Sequence, residues 1–159
     1  MNKIDINGLK EKSIYFENVS HFSEIENLKF PSNGFVLFLA ANRANVKEQE
    51  IVLTAKKLIT SGLTYICTFG PDCEKGHDIF DYANILWEQE HKTEFLVMST
   101  WHAHETLEEA LYFCILNAEP KDVKEIESSM VVLSVGNLEW SKTIQACLYN
   151  LPAFIKRMK

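Results

Sequence analysis

The chain has 159 residues, of which 47% are apolar and 24% charged. That balance suits one domain of ordinary size and excludes a disordered chain, a collagen-like repeat and a disulfide-stapled mini-protein. Sixteen basic against 22 acidic residues leave a formal charge of -6, so no grip on duplex nucleic acid through its phosphates is expected.

Met1-Asn2-Lys3-Ile4-Asp5-Ile6-Asn7 is too polar for a secretory signal, and no apolar run reaches the length of a membrane span. Lys12 to Val19 reads as an N-terminal edge strand and Phe22 to Leu28 as a short helix. From Gly34 the chain alternates short apolar runs with amphipathic stretches. Phe35 to Ala40 predicts a strand buried on both faces, followed by a helix carrying Ile51, Val52, Ala55, Leu58 and Ile59 on one stripe and ending at Ser61-Gly62. Leu63 to Thr68 is the next strand. Pro71-Asp72 opens a second helix, with Asp72 as N-cap and Phe80, Ala83 and Trp87 inward.

Phe95 to Met98 predicts a third buried strand. Thr106 and Glu109 have capping-box spacing for a helix whose face carries Leu107, Ala110, Leu111, Cys114 and Ala118. After the polar stretch Glu119 to Ser129 comes a fourth strand, Met130 to Val135. Trp140, Ile144, Cys147, Leu148 and Leu151 mark a last helix that Pro152 bends or ends. The expected fold is a single three-layer α/β domain over residues 1–159. It has a mainly parallel four-stranded sheet with helices on both faces, Rossmann-like or flavodoxin-like. Residues 1–33 form an N-terminal edge segment, 34–151 the β-α repeats and 152–159 a basic tail.

In open parallel sheets ligands bind beyond the carboxyl ends of the strands. The residues expected there are Asn42, Arg43 and Asn45, then Thr68 to Asp78, then Ser99 to Glu105, then Ser134 and Gly136-Asn137. Asn42, Arg43, Asp72, Trp101, His104 and Asn137 are the candidate ligand-binding residues. Each also has an ordinary role as a turn or cap residue. Cys73, His77 and Asp81 recur at helical spacing, and a thiol in a first helical turn is favourably placed for ionisation. Cys73 is therefore the candidate nucleophile of a cysteine-dependent hydrolase or transferase, with His77 or His102 as base. A side-by-side i, i+4 pair leaves little room between nucleophile and base, which favours a histidine arriving from a neighbouring strand.

Cys67, Cys73, His77, His102 and His104 bring metal-ligating side chains into one stretch, but no standard ligand spacing is present and no metal is expected. No glycine-rich phosphate loop occurs, and no cofactor is expected. Cys67, Cys114 and Cys147 read as reduced thiols packed in the core of a cytoplasmic protein. The acidic helix starts and the net charge suit docking to a basic protein.

The block Phe69-Gly70-Pro71-Asp72-Cys73-Glu74-Lys75-Gly76-His77-Asp78-Ile79-Phe80-Asp81, with Trp101-His102 and Glu105 to Ala110 downstream, resembles a small uncharacterised bacterial α/β domain family over residues 34–118. The resemblance implies a bacterial or phage source, and the family has no established activity to carry over. The functional expectation is an acidic binding or regulatory module that recognises a protein or small ligand through its strand-end loops. No membrane partner is expected, and the chain would act as a monomer or homodimer.

Overall fold

The computed structural model describes residues 1–4, 13–31, 34–43, 46–92, 96–120 and 129–159. Its strands are β1 (Asn2–Ile4), β2 (Ile14–Val19), β3 (Phe35–Ala41), β4 (Leu63–Phe69), β5 (Met98–His102) and β6 (Ser129–Val135). Its α-helices are α1 (Glu48–Thr60), α2 (Cys73–His91), α3 (Leu107–Asn117), α4 (Leu138–Tyr149) and α5 (Leu151–Met158), with a 3-10 turn at Phe22–Asn27. None of these helices is long and apolar enough to cross a membrane.

The α/β class matches expectation, but the sheet has six strands rather than four, in the order β1-β2-β6-β3-β4-β5. Five run parallel, and β1 pairs antiparallel to β2. β3 and β6 lie side by side at the centre, with Phe38 opposite Val132. Every residue of β3 and all but Ser129 of β6 are buried, because side chains of both parities meet a helical layer. Val36, Phe38, Ala40, Met130 and Val132 face the layer of α3, α4 and α5. Leu37, Leu39, Val131, Leu133 and Val135 face the layer of α1, α2 and the 3-10 turn.

Three expectations are corrected. The strand expected at Lys12 to Val19 runs from Ile14 and is not an edge, since β1 covers one side of it and β6 the other; Lys12 lies outside the described residues. The third strand is Met98–His102, not Phe95 to Met98. Phe95 is outside the described residues, and Leu96 and Val97 precede the strand. β5 is the sheet's other edge and only half-buried, so it is built from Ser99, Thr100 and Trp101 rather than from an apolar run. Finally, the basic C-terminus is a helix. Leu151 and Phe154 are buried, Pro152 stands in its first turn, and Arg157 pairs with Glu108 of α3.

The capping box expected before α3 is present. The Thr106 hydroxyl accepts from the Glu109 amide at 3.2 Å, and the Glu109 carboxylate accepts from the Thr106 amide at 2.7 Å. Thr106→Ala is expected to cost about 1 kcal/mol in denaturant unfolding. Hydrogen bonds from the Thr106 amide and hydroxyl hold the Glu109 carboxyl below its ordinary value. Its stabilisation is therefore complete above the unfolded carboxyl value, about 4.3, and is lost as pH falls through the lower folded value. Glu109→Gln is expected to destabilise the protein at neutral pH, with the deficit closing in strong acid. A deficit that persists unchanged in acid would contradict this.

Candidate functional site at the carboxyl ends of the strands

Because β2, β6, β3, β4 and β5 are parallel, their carboxyl ends share one edge of the sheet. The chain leaves β3 towards α1 on one face and leaves β6 towards α4 on the other. β3 and β6 are neighbours, so the gap between their exits is the topological switch point, where such sheets take ligands.

Four strand-end loops meet there. The Asn42 amide donates to Val135 O at 3.1 Å, and the Gly136 amide donates to Val19 O at 3.0 Å. Gly136 turns in the left-handed region (φ 69), and a Cβ on it would make ordinary contact with Ser20 O at 3.5 Å and Asn42 O at 3.8 Å. From the β4 side Gly70 (φ 116) presses on β3, and a Cβ there would lie 2.4 Å from Ala41 O and 3.0 Å from the Trp140 ring. Phe69 and Trp140 meet edge to face with centroids 5.3 Å apart.

The expected site residues divide between this crevice and its surroundings. Asn42 and Arg43 follow β3 directly; Asn45 lies outside the described residues. Asn137 is at the β6 exit, but its side chain caps α4, accepting from the amides of Glu139 and Trp140 at 3.1 Å. Asp72 occupies the N-cap position of α2 in the left-handed region (φ 57), and its side chain makes no capping bond. His104 is exposed on the bend after β5.

Arg43, which follows β3, turns its side chain towards α2. Its guanidinium lies across Gly76 in the first turn of α2, where a Cβ would come within 1.7 Å of Nη1. Nη2 is buried and has no hydrogen-bond partner among the described residues. Burial lowers the Arg43 pKa, while the nearby Cys73 and Asp72 act in the opposite direction. Behind the guanidinium a cavity of about 10 Å³ is lined by Thr68, Cys73, Gly76 and Phe80 among others, room for about one water.

The Cys73–His77–Asp81 stripe forms, but not as a nucleophile and base. Cys73 is buried, only 2% exposed. His77 has Nδ1 3.4 Å from Asp78 and Nε2 3.6 Å from Asp81. Its ring meets Trp101 edge to face with centroids 4.6 Å apart. Asp81 accepts from the Ser99 hydroxyl at 2.5 Å, which ties α2 to β5. Trp101, 47% exposed, is therefore a surface aromatic on the β5 edge.

His102 is on the other side of the sheet from Cys73. Its ring packs on Phe113 of α3, with centroids 4.9 Å apart, so the sheet stands between it and the α2 stripe. Nδ1 lies 3.0 Å from Glu105, and Nε2 lies 3.2 Å from the Thr100 hydroxyl. Cys67, expected in the core, is a further neighbour of His102. Burial opposes ionisation of Cys67, but hydrogen bonds with Cys114, His102 and Thr100 outweigh it and bring the thiol down to about 6. Burial disfavours a charged His102, yet its bond to Cys67 and the charges of Cys67 and Glu105 prevail and raise its pKa. No spacing rule links residues 67, 102 and 114. The signal lies in strand alternation, with Tyr65 and Cys67 on one face of β4 and Met98, Thr100 and His102 on the same face of β5.

Among the described residues no three His, Cys, Asp or Glu side chains converge to hold a metal ion. A family model for a domain of unknown function, DUF7684, matches residues 16–151. The chain belongs to that family. No curated protein matches it. The DUF7684 match runs from within β2 to the first residue of α5 and takes in β3, β4, β5, β6 and every strand-end loop described above.

Gly70, against Ala41, and Gly76, against Arg43, are expected to respond differently to alanine. Gly70→Ala forces a Cβ into backbone at a positive φ and is expected to cost about 3 kcal/mol. Gly76→Ala meets only the tip of the Arg43 side chain and gains helix propensity, so it is expected to stay within about 1 kcal/mol of the native chain. Urea unfolding of the two variants checks the contrast. Equal losses would contradict the crevice geometry.

Proposed function

We propose that this domain is a non-catalytic binding module that takes a small ligand bearing a carboxylate or phosphate at the β3/β6 crevice. The observation that carries the reading is the meeting of four strand-end loops at the topological switch point. Arg43 follows β3 directly and supplies a guanidinium whose buried Nη2 has no hydrogen-bond partner among the described residues, the group best shaped for a bidentate grip on an oxyanion. Gly70 brings backbone up against Ala41, and Gly136 supplies the left-handed turn at the β6 exit, so this edge is lined without bulky side chains.

Binding is favoured over cysteine catalysis because no nucleophile and base are assembled around Cys73. Its sulfur is buried, both ring nitrogens of His77 face carboxylates, and His102 lies across the sheet. The proposed compartment is the cytoplasm, with the four cysteines as reduced thiols.

The test is a fragment screen by ¹H–¹⁵N correlation spectra with a set of small carboxylates, phosphates and neutral heteroaromatics. Carboxylates and phosphates are expected to shift the amides of Asn42, Arg43, Gly70 and Gly136, and Arg43→Gln is expected to weaken them about tenfold. Hits confined to the Trp101 edge or to the α4–α5 face, or hits indifferent to Arg43→Gln, would contradict the proposal.

A further inference from the structure

The helical layer of α3, α4 and α5 carries a groove that the strand-end site does not use. It is a cavity of about 330 Å³ between α4 and α5, with Glu108 of α3 also in its wall. That volume lies at the small end of ligand pockets, which run from about 300 to 1,000 Å³. Ala146 of α4 with Ala153 and Phe154 of α5 form its apolar wall. Leu151 and Phe154 are buried and anchor α5. The two alanines take up little room, which leaves the space between the helices unfilled.

The charged groups of the groove form one opposed pair. Arg157 of α5 ion-pairs with Glu108, and its Cζ stands 5.7 Å from the centroid of the Phe154 ring. From α4 the Cys147 thiol donates to Glu108 Oε1 at 3.9 Å. Both charged ends are thus held before a ligand arrives, which lowers the entropy cost of binding. Among the described residues these contacts use Oε1 of Glu108 and Nη2 of Arg157. Oε2 and the other guanidinium N–H groups are left for a ligand.

We propose that this groove binds a free α-amino acid with an apolar side chain. Its carboxylate lies on the Arg157 guanidinium, its ammonium on Glu108 and its side chain against Ala146, Ala153 and Phe154. Charge decides the class. A simple anion drawn to Arg157 meets the Glu108 carboxylate, and a simple cation drawn to Glu108 meets the guanidinium. A neutral apolar molecule would strip water from the pair and return no charged partner. A zwitterion sets an opposite charge against each member, and the apolar wall accepts its side chain. The groove is separate from the β3/β6 crevice, because α4 and α5 cover the face of the sheet opposite α1 and α2.

The test titrates the full chain with L-leucine, N-acetyl-L-leucine and L-leucinamide, followed by ¹H–¹⁵N correlation spectra. The two derivatives keep the side chain and remove the ammonium or the carboxylate in turn. L-Leucine is expected to shift the amides of Ala146, Cys147, Ala153 and Arg157 saturably, and each derivative to bind about tenfold more weakly. Arg157→Gln and Glu108→Gln are each expected to weaken leucine about tenfold. Their side chains are 60% and 38% exposed, and so exposed a pair adds little to stability, so both variants are expected to fold. Arg43→Gln is expected to leave leucine binding unchanged, which separates this groove from the crevice. Equal binding of the three compounds, shifts centred on the strand-end loops, binding indifferent to Glu108→Gln, or no saturable shift would overturn the assignment.

Discussion

β6 hydrogen-bonds along both of its edges, to β2 on one side and β3 on the other, and most of the architecture follows from that insertion. A crossover between parallel strands is right-handed, so the direction of travel along the sheet decides which face a helix covers. From β3 to β5 the chain steps outward and lays α1 and α2 on one face. From β5 it returns past two strands to β6, which puts α3 on the other face, where α4 and α5 follow. The central strands are thereby buried on both sides, and the exits of β3 and β6 diverge to leave the crevice between them.

The same sheet keeps two chemistries apart. On the α1–α2 face Arg43, Cys73 and the first turn of α2 lie together at the strand ends. On the α3 face Cys67, His102 and Cys114 are buried, and the exposed Glu105 pairs with His102 at their edge. Residues adjacent along one strand, such as Trp101 and His102, therefore belong to different environments: Trp101 meets His77 of α2, and His102 meets Phe113 of α3. The Arg43 region and the His102 region can coexist in an 18.3 kDa chain because a layer of buried Leu, Ile, Val and Phe side chains separates them.

What was legible in the sequence tracks burial. β3, β4 and β6 read as continuous apolar runs because both faces are covered, and the α3 cap read correctly because Thr106 and Glu109 satisfy it locally. β5 was placed too early because an edge strand needs few apolar residues, and β1 was missed because only Ile4 of its three residues is buried. The strand-end residues Asn42, Arg43 and Asn137 were legible from position alone. The order of strands was not, since it depends on how crossovers pack rather than on any local pattern. The pairing of Cys67 with His102 was hidden for the same reason: strand register, not spacing, brings them together.

The insertion of β6 is the claim on which the crevice and the separation of the two faces both rest. Native-state hydrogen exchange followed by NMR tests it most directly, because an amide bonded within a central strand exchanges only on global unfolding. The amides of Val131, Val132 and Leu133 are expected to be as slow as those of Leu37 and Phe38 and slower than those of Ser99 and Thr100. Edge-like exchange in β6, as fast as in β5, would contradict the topology and remove the basis for the site.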